Sequence, residues 1–202
     1  FASTRHILYN QTNPRFACYT SSQTDPVLFK YGVVLPKTEA PVFSTAPGLL
    51  YETTHISLTS TTANAVIYYT LNGTTPDNIT GILYSAPIAV SAATTIKAIA
   101  YSDSLPASNI STANYTFPTE VPTIAAFLAA NTITNTTVYK ITGDVTFVYR
   151  NDRSIFVQDA TAGMLIYDNS TPVITNTYAE GDVISGGLCG TYTLYSGLSE
   201  FV

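Results

Sequence analysis

The residues best suited to chemistry lie in the last third of the chain. Asp144, Asp152, Asp159, Asp168, Glu180 and Asp182 crowd into fewer than forty positions. Two carboxylates across a scissile bond can serve as general acid and base or nucleophile. Most of these six, however, flank Gly or Asn in turn-like sequence, where an Asp side chain satisfies its own backbone. Solvated turn residues are therefore expected here rather than a catalytic pair. The only histidines, His6 and His55, stand far apart. Neither has the i, i+4 partner or Cys neighbour of a zinc signature. No GxGxxG or P-loop occurs. Asp77, Asn78 and the carbonyls of loop 72–81 offer hard oxygens for calcium, but one carboxylate is too few for a tight site. The sequence thus predicts no catalytic residue, no cofactor and no metal.

A second constellation is aromatic and cationic. Phe147, Tyr149, Arg150, Arg153 and Phe156 surround the Asn151-Asp152 turn, and Tyr192 and Tyr195 follow later. Exposed rings stack on sugars or bases, and Arg adds cation–π or phosphate contacts. The competing expectation is that the rings fill a core and the two arginines merely flank a turn.

These residues must be carried mainly by strands. The chain has 202 residues, of which 46% are hydrophobic and only 10% charged, with fifteen Tyr and nine Phe. β-branched and aromatic residues favour strands, and so little charge leaves Thr, Ser and Asn to cover the surface. That composition suits an extracellular β protein. A net charge of −5 with eight scattered Lys and Arg argues against general nucleic-acid binding, which needs basic clusters. No signal peptide is recognisable and no apolar run approaches the ~20 residues of a membrane span. Cys18 and Cys189 read as two thiols in different modules, with a disulfide between them the less favoured option. The start on Phe1 and the end on Glu200-Phe201-Val202 read as cuts in a longer polypeptide.

Short runs at Arg5–Asn10, Arg15–Tyr19 and Val27–Tyr31 make residues 1–35 the tail of an upstream β module plus linker. Residues 36–118 read as strands at short spacing, for example the alternating Thr95-Ile96-Lys97-Ala98-Ile99-Ala100-Tyr101, which predicts a sandwich or barrel. Pro118–Pro122 reads as a second linker. Ile124, Phe127 and Leu128 then mark one buried helix face, with Pro122 at the first helical position and Asn131 as the stop. Strands resume at Val138–Tyr149, Ser154–Asp159, Met164–Asp168 and Asp182–Tyr195.

Two stretches resemble known families. Ala65-Val66-Ile67-Tyr68-Tyr69-Thr70-Leu71-Asn72-Gly73-Thr74-Thr75-Pro76, with Tyr84-Ser85-Ala86-Pro87-Ile88, Thr94–Ala100 and Tyr115, resembles the chitobiase/β-hexosaminidase C-terminal domain, a fibronectin-III-like accessory sandwich, over about 41–117. The family's Asp before the turn glycine is Asn72 here, and both residues suit a tight turn. In this block Tyr68 and Tyr69 should point to opposite faces of one strand. Val138–Gly143, Ser154–Asp159, Gly163–Asp168, Gly181–Gly186 and Leu194–Val202 resemble an OB-like barrel module of secreted bacterial proteins, over 119–202. About four strands are countable there, against five in an OB barrel. That count predicts a truncated barrel with its closing strand downstream and an edge free to pair with another copy.

The first resemblance implies an all-β, non-catalytic accessory or spacer role in a larger secreted or cell-surface bacterial protein. Its partners would be neighbouring domains of the same polypeptide and possibly glycans. The alternative is a binding module serving an attached hydrolase or nuclease. It would take carbohydrate, through surface tyrosines such as Tyr68 or Tyr69 and Tyr84, or single-stranded nucleic acid, through Phe147, Tyr149, Arg150, Arg153, Phe156 and Tyr192.

Seven Asn-x-Ser/Thr sequons (Asn10, Asn72, Asn78, Asn109, Asn114, Asn135, Asn169) reflect the Asn/Thr-rich composition if the source is bacterial. Asp103-Ser104-Leu105 resembles a short bacterial O-glycosylation motif.

Overall fold

The computed structural model describes residues 36–170 and 177–202, and the backbone of 6–10 and 15–19. The described chain is all-β apart from one short helix, as the composition predicts. It divides into two compact units, Phe1–Pro36 and Lys37–Val202. In the first, β1 (His6–Asn10) pairs antiparallel with β2 (Arg15–Tyr19), Tyr9 lying opposite Phe16. The run expected at Val27–Tyr31 lies outside the described residues, as does the side chain of Cys18.

The second unit begins with short strands, in keeping with the turn residues that interrupt every few positions: β3 (Val42–Phe43), β4 (Gly48–Leu49), β5 (Thr54–Ile56), β6 (Leu58–Thr59), β7 (Val66–Thr70), β8 (Ile82–Leu83), β9 (Ile88–Val90), β10 (Thr94–Tyr101) and β11 (Ser111–Thr116). One sheet has the order β4-β11-β10-β7-β8, and β3-β6 and β5-β9 form two small sheets. A hydrophobic core gathers Ile96, Ala98 and Ala100 from β10, Ala113 and Tyr115 from β11, and Ile56, Leu58, Ile88 and Val90 from the small sheets. The period-2 alternation of β10 puts those three side chains on one face, and the small alanines leave room for larger residues opposite. The Tyr115 hydroxyl, carried through the core, donates to the Thr45 carbonyl at 2.8 Å.

Tyr68 and Tyr69 take opposite faces. Tyr69 packs against the core and meets Tyr84 edge-on at 6.4 Å. Tyr68 meets Tyr101 edge-on at 5.9 Å, on the face that also carries Lys97. After β7 the chain turns at Gly73, whose φ of +76° is left-handed, while Asn72 Oδ1 accepts from the Thr74 N–H at 3.1 Å. This is the turn expected of Asn72-Gly73.

The rest of the unit contains β12 (Thr119–Val121), α1 (Ile124–Ala130), β13 (Val138–Ile141), β14 (Val145–Asn151), β15 (Ser154–Gln158), β16 (Gly163–Tyr167), β17 (Val183–Ile184), β18 (Leu188–Tyr195) and β19 (Leu198–Phe201). They form one sheet of order β12-β13-β18-β19-β16-β15-β14-β17. Only Thr142–Asp144 separate β13 from β14, so strands near opposite ends of that order are consecutive in the chain and the sheet curls. Its concave side holds a second core: Phe127, Ile141, Val145, Val157 and Phe201, with Tyr139, Phe147, Ile155, Met164 and Tyr192. Phe127 of α1 meets Phe201 at 5.0 Å, Tyr139 at 5.4 Å and Tyr192 at 5.8 Å.

Two expectations are corrected here. Residues 118–122 are not a free linker, because β12 pairs in parallel with β13, Val121 opposite Ile141. Pro122 is not the first helical residue. Thr123 caps the helix by accepting from the Ala126 N–H, and Asn131 ends it, as expected. β19 pairs antiparallel with β18 and in parallel with β16, and the sheet runs from β12 at one end to β17 at the other. The strand read as Asp182–Tyr195 divides into β17 and β18, and the chain then runs on into β19. Ser196 and Gly197 both take left-handed φ, +50° and +84°, the backbone of a two-residue hairpin turn, and fold the chain back on itself. With both flanks paired, β19 is not a free edge.

Candidate functional site

Several of the carboxylates that could have carried hydrolysis instead accept hydrogen bonds from backbone N–H groups. Asp159 Oδ1 accepts from the Thr161 N–H at 2.7 Å, the Thr161 hydroxyl at 2.6 Å and the Ala162 N–H at 2.9 Å. Its Oδ2 accepts from the Ile124 N–H at 2.8 Å. One side chain therefore closes the β15–β16 turn and caps the first turn of α1. Burial by itself raises its pKa, but the hydrogen bonds, led by the Thr161 hydroxyl, outweigh that and hold it at about 2. A carboxylate so stabilised as an anion is a poor general acid.

Asp77 behaves alike. It accepts from the Ile79 and Thr80 N–H groups and the Thr80 hydroxyl. Those bonds, the Thr80 N–H first, lower its pKa. Its carboxylate thus ties its own loop instead of standing free for calcium. Asp144 Oδ1 accepts from the Gly186 N–H, and Asp182 Oδ2 from the Ala179 N–H. Asp152 sits at the β14–β15 turn with φ +53°. His55 is exposed on β5. Among the described residues, no three His, Cys, Asp or Glu side chains gather closely enough to hold a metal ion. Cys189 is a free, half-buried thiol that donates to the Gly187 carbonyl. Burial raises its pKa.

The aromatic constellation divides between core and surface. Phe147 and Tyr192 lie in the second core, where the Tyr192 hydroxyl pairs with Ser199 Oγ at 2.9 Å. Tyr149 and Phe156 lie opposite each other on β14 and β15 and are 58% and 40% exposed. Their rings run within 28° of parallel, with centroids 6.3 Å apart. The register shifts between Phe147 and Tyr149, and this bulge at Val148 re-aims Tyr149 relative to the strand's ordinary alternation.

Arg150 is directed away from that surface. Its Nε donates to the Asp152 carbonyl at 2.8 Å, and one terminal nitrogen lies 3.6 Å from the fully buried Asp168 carboxylate. Arg153 donates to the carbonyls of Asp168 at 2.9 Å and Ser170 at 3.4 Å. Tyr195 is exposed at the β18–β19 hairpin. Neither arginine joins the exposed rings.

Beside Phe156 runs a groove of about 550 Å³, lined by Leu128, Val148, Phe156, Gln158, Gly163, Leu165, Leu198 and Ser199 among others. Leu165 lies directly across from Phe156 on β16. Of these, only Phe156 was singled out in sequence. The others come from α1 (Leu128), β14 (Val148), β15 (Gln158), β16 (Gly163, Leu165) and β19 (Leu198, Ser199), which only the fold brings together.

Residues 56–115 match the family model described as Fn3 associated. That match fits a fibronectin-III-related domain over this segment. It covers β7 to β10, most of β11 and most of the core around Ile96 and Tyr115. No curated protein and no solved structure matches the chain. The groove lies outside the Fn3-associated segment, on strands that no match covers.

Proposed function

We propose that this chain is a non-catalytic accessory segment of a larger secreted or cell-surface bacterial protein. Its modules space and orient a catalytic or adhesive domain elsewhere on the same polypeptide. The observation that carries the reading is the fate of the acids. Asp77, Asp144, Asp159 and Asp182 each serve as local hydrogen-bond acceptors, and among the described residues no three His, Cys, Asp or Glu side chains gather into one cluster.

The Fn3-associated match supports an accessory type of module for 56–115. The Tyr68–Asn72-Gly73 block supports the finer chitobiase-type reading. For 119–202, an OB-like reading draws support from two features. Only three residues join β13 to β14, which sit near opposite ends of the curled sheet, and β16 pairs in parallel with β19. The test is direct. Purified chain is incubated with chromogenic glycosides, esters and single-stranded nucleic acid, and no turnover above buffer is expected. Turnover that survives repurification and disappears on substitution of a carboxylate would sink the proposal.

A further inference from the structure

The groove beside Phe156 has features that the accessory reading leaves unused. Tyr149 and Phe156 expose two near-parallel rings to solvent, although a core lies directly beneath them. Together they offer a continuous apolar ring surface to solvent.

Gly163 is equally unforced by the fold. Its φ is not left-handed, and a Cβ built on it would meet only the Val157 carbonyl, at 3.8 Å. This contrasts with Gly190, where a Cβ would come within 2.5 Å of the Phe201 ring. A strand glycine that neither backbone nor packing requires marks a place where something else approaches the backbone closely.

The charge around the groove selects the occupant. From residue 119 onward the chain has three cations and eight acids, a net of −5 that equals the net charge of the whole chain. The three cations are engaged: Lys140 with Glu120 at 3.7 Å, Arg150 with Asp168, and Arg153 with the Asp168 and Ser170 carbonyls. None lines the groove. A polyanion meets no counter-charge here, and binding to a phosphate backbone depends on such neutralisation. What remains is a volume within the range of about 300–1,000 Å³ typical of ligand pockets, with apolar walls, the exposed Phe156 ring and Gln158 in its lining, and the Tyr149 ring stacked beside Phe156.

We infer that this groove binds a neutral oligosaccharide, one sugar ring resting its apolar C–H face on Phe156 beside Tyr149, with the chain passing over Gly163. This goes beyond the accessory role. It gives that role a ligand of its own, and the groove can fail to bind while the accessory reading stands.

The test is affinity electrophoresis of the full chain through gels containing β-glucan, xylan, galactomannan or mannan. Polygalacturonate serves as the charged polysaccharide, and a filter-binding titration with oligo(dT) as the nucleic acid. Retardation by at least one neutral polysaccharide is expected, insensitive to salt, with neither polyanion bound. Phe156→Ala should weaken binding about tenfold, the scale of one lost stacking contact. Gly163→Ala should weaken it severalfold with far-UV circular dichroism unchanged, since the added carbon has open room. Three results each overturn the assignment: no retardation by any neutral polymer, tighter binding to either polyanion, or wild-type retardation by both folded variants.

Discussion

Asp159 joins two elements through one carboxylate, receiving four hydrogen bonds from the β15–β16 turn and the start of α1. Asp159→Ala should cost about 1–3 kcal/mol, the range for hydrogen bonds to a charged group, read as a lower urea midpoint. The pH dependence has a definite sign. The folded pKa of about 2 lies below the ordinary 3.8, so the ionised form is favoured by folding. The contribution is fully present above 3.8 and is lost as pH falls through about 2. The stability gap between wild type and Asp159→Ala should therefore be constant from pH 7 to 5 and narrow toward pH 2. A gap that widens on acidification contradicts this assignment. Arg150 makes a second residue-scale case. Its partner Asp168 is buried, so Arg150→Ala leaves a buried charge short of a cation. A loss of roughly 1.5–3 kcal/mol in thermal or urea unfolding is expected. That Asp residues would sit at turns was legible from their neighbours. Which turn each would join was not, because Asp159 and Ile124 are brought together by the fold and not by the chain.

At the scale of elements, the β18–β19 hairpin decides whether the curled sheet has its last strand. Its turn needs left-handed φ at Ser196 and Gly197, and its far end inserts Phe201 into the core, 1% exposed. Gly197→Val should destabilise by about 1–3 kcal/mol through backbone strain. Phe201→Ala should cost about 3–5 kcal/mol through the cavity it leaves. Equilibrium urea denaturation followed by tyrosine fluorescence measures both, and a loss below 1 kcal/mol for Phe201→Ala would show that β19 is not part of the packed sheet. Gly190→Ala probes the same contact from the other side, since its new methyl group would displace the Phe201 ring. Helix α1 was readable from Ile124, Phe127 and Leu128 because a 3.6-residue period is local. The hairpin was overlooked because Ser-Gly is a weaker turn signal than Asn-Gly, and only the pairing of β19 with the distant β16 gives it meaning.

For the whole molecule, the hydrophobic residues of 37–202 separate into two clusters. One is built from residues between Phe43 and Phe117, the other from residues between Val121 and Phe201. Two unfolding events are expected. Ile96→Ala should shift one by about 2–5 kcal/mol and Phe127→Ala the other by about 3–5 kcal/mol, each leaving its counterpart unchanged. Scanning calorimetry of the two variants checks this, and a single transition moved by both substitutions would overturn it. The sequence by itself determined the all-β class, the strand periods, the Asn72-Gly73 turn and the helix. Each of these depends on residue type and on spacing within one turn or one strand. Tertiary structure alone decided which rings are core and which are surface, that both arginines turn away from the groove, and that β19 pairs with β16. Those outcomes depend on register between strands up to forty residues apart, and a shift of one residue would exchange Phe147 for Tyr149 at the core.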